Sequence, residues 1–104
     1  MIALTIALLV TAPNPASLNA PRNNYASCLK QFESKSIAAK MPKADYETAI
    51  KDACPAEAQA LINALVAYDV AMGSKRATAE ANAKLDVADY WSESIERVDY
   101  QSAH

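Results

Sequence analysis

Glycine occurs once in the 104 residues, at Gly73. Average usage is about 7%, and tight turns, hairpins and phosphate-cradling loops all draw on glycine's freedom at positive φ. A chain this poor in it can build few such turns. No run alternates Val, Ile, Thr and aromatics, and no Asn-Gly or Asp-Gly pair appears, so strands and two-residue hairpins are not expected. Alanine, leucine, lysine and glutamate dominate instead and favour helix. The expected fold is all-α: a small bundle of three to four helices with one disulfide, preceded by a signal peptide. At this length it forms one domain.

Residues Ile2 to Val10 read I-A-L-T-I-A-L-L-V and are followed by Thr11-Ala12-Pro13-Asn14-Pro15. An apolar run of this length ending in a helix-breaking stretch matches a secretory signal. It is about half of the roughly 20 residues a membrane span needs. No Lys or Arg precedes the run, and prolines follow both Val10-Thr11-Ala12 and Leu18-Asn19-Ala20. The cut is expected between Ala16 and Ala20, which divides the chain into a signal over 1–20 and a helical domain over 21–104. An uncleaved, membrane-associated helix is the alternative. Export places the domain in the bacterial periplasm or outside the cell, with no stable membrane span after cleavage.

Export also makes a disulfide the natural reading of the two cysteines, Cys28 and Cys54. Closing that loop is worth about 3–4 kcal/mol in the chain-entropy model. The spacing is not that of a C-x-x-C redox pair, and two cysteines with one histidine, the terminal His104, fall short of four zinc ligands. No metal or other cofactor is expected.

Helical periodicity places the rest. A first helix is expected from Arg22, after Pro21, with Tyr25, Cys28, Leu29 and Phe32 on its buried stripe. The stripe weakens after Phe32, and Met41-Pro42 sets the limit. A short helix then runs from Pro42 to about Ala53, with Tyr46, Ala49, Ile50 and Ala53 inward. Pro55 suits the first position of a third helix, whose stripe is Ala58, Leu61, Leu65, Tyr68 and Met72, widened by Ile62 and Val66. Gly73 is the preferred stop, with one long helix through it as the alternative, and Ser74 the cap of a fourth helix from about Lys75 to Tyr100. The fourth stripe reads Ala77, Ala81, Leu85, Ala88, Trp91, Ile95 and Val98.

Few residues suggest chemistry. Asp86, Asp89, Glu93, Glu96 and Asp99 share one side of the fourth helix, and Asp86, Asp89, Tyr90, Glu93 and Glu96 form a candidate interaction face for a cation or a basic partner. A plain solvated face is the simpler reading. Asp69 stands among Tyr68, Val70, Ala71 and Met72, so if buried it needs a partner. Arg76 or Lys75 is within reach, and a structural ion pair, with Arg76 as the candidate, or a partly exposed carboxylate is a simpler reading than a functional role. Tyr90 and Tyr100 are candidates for an exposed aromatic platform, with Trp91 in the core. No internal histidine can serve as a catalytic base, so catalytic residues are not assigned and an enzyme is not expected. The formal charge of -2 and the lack of a basic stripe argue against nucleic acid.

The pieces Cys28-x-x-x-Phe32, Ala53-Cys54 and Tyr68-Asp69-x-x-Met72-Gly73-x-x-Arg76-x-x-x-Glu80 resemble those of small exported helical proteins of alphaproteobacteria. That resemblance implies a periplasmic location and carries no activity. The architecture is also similar to that of periplasmic acid-stress chaperones. Three functions follow as expectations: a non-catalytic periplasmic interaction protein (an inhibitor, immunity-type or envelope-stress partner); a periplasmic holdase chaperone; and a small-ligand or metal carrier.

Overall fold

The computed structural model describes residues 13–103. The apolar run over 2–10 and His104 lie outside them. Among the described residues there are four α-helices: α1 (Asn19–Ala38), α2 (Lys43–Ala49), α3 (Pro55–Ala71) and α4 (Arg76–Ala103). Single turns of 3-10 helix precede α1, over Pro15–Leu18, and follow α2, over Ile50–Asp52. No strand occurs among the described residues. The protein is an all-α bundle with one disulfide, between Cys28 and Cys54.

α1 begins three residues before the expected Arg22. Asn14 starts the preceding turn: its Oδ1 accepts the Ala16 N–H at 3.0 Å. That turn runs straight into α1, so Pro21 lies inside the first helical turn. Proline is tolerated there because the N–H it lacks has no intrahelical partner. Leu18, just upstream, is buried in the core.

Both long interhelical stops have the same hydrogen-bond pattern. After α3, Gly73 N–H bonds Val70 C=O at 3.0 Å and Ser74 N–H bonds Asp69 C=O at 2.9 Å. This is the 5→2 and 6→1 pair of a Schellman cap, with Gly73 at φ 104°. The expected break at Gly73 is therefore present. Lys75, not Ser74, supplies the carbonyl for the first bond of α4, from Ala79 N–H. After α1, Lys40 N–H bonds Ile37 C=O and Met41 N–H bonds Ser36 C=O, both at 3.0 Å. Here a lysine holds the left-handed position, φ 55°, where an L side chain costs roughly 1–2 kcal/mol. Lys40→Gly is expected to stabilise by about 0.5–1 kcal/mol, after allowing for glycine's looser unfolded chain. A urea midpoint that falls instead would show that the lysine side chain contributes more than its backbone strain costs.

Tyr25, Leu29, Tyr46, Ile50 and Leu61 form the fully buried centre. α3 and α4 are an antiparallel hairpin around it. Leu61, Leu65 and Val66 face Ala79, Ala83 and Val87, all buried. The α4 stripe therefore differs from the expected one in its first half. Ala77, Ala81 and Leu85 are exposed, and Leu85 is 66% exposed. Small residues let the two backbones approach, and that spacing sets the buried face more strongly than one leucine does. Met72 falls after the end of α3 and is likewise exposed. α2 packs beneath the lower half of α4. No helix among the described residues is long and apolar enough to cross a membrane.

Candidate functional site

α1 and α4 run parallel, joined by three polar rungs at nearly constant sequence offset. The first is at the start of α1. Arg22 Nη2 donates to Asp86 Oδ2 at 3.0 Å, and Nη1 to the Tyr90 hydroxyl at 3.3 Å. The second is aromatic: Trp91 Nε1 donates to the Tyr25 hydroxyl at 3.0 Å, and the Tyr25 and Tyr90 rings tilt against each other at 5.2 Å. Burial pushes the Tyr25 hydroxyl above the ordinary tyrosine range, partly opposed by the Trp91 bond.

The third rung is the most buried. Glu33, with a side chain only 8% exposed, accepts Ser94 Oγ at 2.6 Å and Arg97 Nη2 at 2.6 Å on one oxygen. Ser94 has a single hydrogen, spent on Glu33, so the 2.6 Å contact between Ser94 Oγ and the Tyr46 hydroxyl has Tyr46 as donor. A proton-donor chain thus runs Tyr46 to Ser94 to Glu33. Burial also raises Tyr46, with the Ser94 bond opposing. The Glu33 carboxylate holds the Arg97 guanidinium above its usual range, against desolvation. This rung was not foreseen. Its signal was available: Tyr25, Leu29, Glu33 and Ser36 recur at steps of 4, 4 and 3 and are all buried. The stripe of α1 does not fade after Phe32; it turns polar.

These rungs revise the candidate interaction face. Asp86 and Tyr90 are turned inward to Arg22 and Tyr25. Asp89, Glu93 and Glu96 remain exposed, while Asp99 pairs with Lys43 at 2.8 Å. The expected Asp69–Arg76 ion pair is not formed. Arg76, at the first position of α4, pairs with Glu80 one turn on, at 3.7 Å, while Asp69 lines a groove with Arg22 and Asp86. Tyr100 is exposed; Tyr90, expected to be exposed with it, and Trp91, expected in the core, are both half-buried.

Asp69 instead borders a groove of about 380 Å³ between α3 and α4. Leu18 and Arg22 contribute from the start of α1, Leu65 and Tyr68 from α3, and Leu85, Asp86 and Asp89 from α4. Three carboxylates and one guanidinium therefore line the groove, and the guanidinium is already bound to Asp86. Neither Asp69 nor Asp89 has a side-chain partner among the described residues. The exposed Leu85 lines the groove with them. A second group stands at the opposite end of α3: one ligand atom each from Cys28, Cys54 and Glu57, all within 4.8 Å of one another and part-exposed.

No protein family, curated protein or solved structure matches the chain.

Proposed function

We propose that the chain is an exported, non-catalytic interaction protein of the bacterial periplasm, and that the α3/α4 groove binds a basic segment of a partner protein. The observation carrying this reading is the pair of unpartnered carboxylates, Asp69 and Asp89, that line the groove together with exposed Leu85. A lysine or arginine next to an apolar residue complements that pattern in both charge and surface. The side chains meeting there offer charge and apolar contact rather than a nucleophile with its base. Export fits the disulfide, which persists in oxidising compartments. A cut after Ala16 lies inside the expected window and keeps Leu18 for the core; the mass of the exported chain reports it.

The test uses short peptides pairing Arg or Lys with Leu, against the same peptides carrying Glu. Basic peptides are expected to shift the amide resonances of Asp69, Leu85 and Asp89, and to bind several-fold more weakly at high salt. Asp69→Asn with Asp89→Asn should weaken binding about tenfold, the effect of roughly 1.4 kcal/mol, with helical content unchanged. Equal binding of the acidic peptides, or shifts confined to another face, would sink the proposal. Charge-independent capture of unfolded chains would favour the holdase reading instead, for which Val70, Met72 and Leu85 supply exposed apolar surface.

A further inference from the structure

We infer that Cys28, Cys54 and Glu57 form a divalent-metal site, for a thiophilic ion such as zinc, whenever the disulfide is reduced. The inference shares no residue with the groove and stands apart from the interaction reading. Counting cysteine and histidine alone misses it, because the third ligand is a carboxylate. Glu57 stands in the first turn of α3, next to the helix start, and its oxygen lies within 4.8 Å of both sulphurs. Zinc takes thiolate and carboxylate ligands at about 2.3 and 2.0–2.2 Å. Two tetrahedral thiolates are then about 3.8 Å apart, and a thiolate and a carboxylate oxygen about 3.5 Å. Reduced sulphurs have only to part by rotation about their own side-chain bonds. The Cα atoms, 6.1 Å apart, are on the long side of the usual range for a cystine and leave room for that rotation. Three protein ligands leave a fourth position for water.

The charge also suits the place. Two thiolates, one carboxylate and a divalent ion sum to -1. Cys54 is the N-cap of the 17-residue α3, and the positive end of a helix stabilises net negative charge. A thiolate is favoured there for the same reason. Reduction delivers two electrons and two protons to the S–S bond, from a dithiol that becomes a disulfide or from a phosphine that becomes its oxide with an oxygen from water. Metal binding then releases the two thiol protons. The cross-link and the metal are thus alternative ways of holding α1 against the start of α3, one for each redox state.

The experiment titrates the whole chain, reduced with a phosphine, with Co(II), followed by competition with Zn(II). One Co(II) per chain is expected, with thiolate-to-metal charge-transfer absorption and the ligand-field bands of a tetrahedral site. The oxidised chain should show neither. Glu57→Ala should weaken the reduced chain's affinity at least tenfold, while oxidised Glu57→Ala keeps wild-type helical content. If the reduced chain loses helix without metal, Zn(II) must restore the circular dichroism signal, and less well for Glu57→Ala. Absent charge-transfer bands, equal affinities for wild type and Glu57→Ala, or no zinc-dependent recovery of a reduced, unfolded chain would each overturn the site.

Discussion

Serine at both Cys28 and Cys54 is expected to lower the free energy of unfolding by about 3.5 kcal/mol. The bridge spans a sequence separation of 26, and the entropy lost by the unfolded chain on closing such a loop gives that figure in the chain-entropy model. Small domains have only 5–15 kcal/mol in total, so the variant should unfold at much lower urea. The folded state changes little, because the sulphurs lie between α1 and the start of α3 and serine occupies less space. Urea denaturation of the variant beside oxidised wild type checks this, with the slope of the transition reporting whether the unfolded chain has expanded. A loss under 1 kcal/mol would mean that the unfolded chain already keeps α1 near α3 without the bond.

Arg97→Met should destabilise by about 3 kcal/mol, the lower end of the range for removing one partner of a buried ion pair. Methionine keeps much of the aliphatic stem and removes the guanidinium, so the loss isolates the charge. What remains is the Glu33 carboxylate, with Ser94 as its one donor, beneath a fully buried serine and tyrosine. The lower end is chosen because the Arg97 side chain is 42% exposed and water can reach the vacated side. Adding Glu33→Gln to Arg97→Met should recover part of the loss, since a neutral amide still accepts from Ser94 and no longer buries a charge. A double-mutant cycle measured by chemical denaturation gives the coupling. Additive losses would show that the third rung is two independent contacts.

The helices were legible wherever a local rule was strong. Pro55 opened α3, Gly73 closed it, and the repeat from Ala58 to Tyr68 showed which side faced inward. Cys28 and Cys54 paired as their number suggested. The end of α1 was not legible, because its Schellman cap uses Lys40, a residue with no preference for a left-handed backbone. The buried face of α4 was misassigned near Leu85 because side-chain size was taken as the guide. In the structure, helix approach selects Ala79, Ala83 and Val87. The polar rungs were hidden for a different reason. Glu33, Ser94 and Arg97 each look like ordinary surface residues, and only their meeting across helices accounts for the burial of Glu33 and Ser94. The same holds for the groove. Asp69 was read as half of an ion pair along the chain, where helical spacing suggests Arg76; in the structure it lines the groove with Arg22, Asp86 and Asp89 instead.

The parallel course of α1 and α4 sets the order in which the chain can assemble. Arg22 finds Asp86, and Glu33 finds Arg97, across 64 residues each. α3 and α4 are joined by the four residues 72–75. Before Cys28 and Cys54 are joined, closing a loop of 64 residues rather than 4 costs about 2.5 kcal/mol more in chain entropy. The hairpin therefore closes first, at little entropic cost, and presents Ser94, Arg97, Asp86 and Trp91 as a ready template. In that reduced chain α1 is expected to dock onto it afterwards. Its polar rungs act as a register lock at that step, because sliding the helix by one turn would move Arg22 away from Asp86 and Glu33 away from Arg97 together.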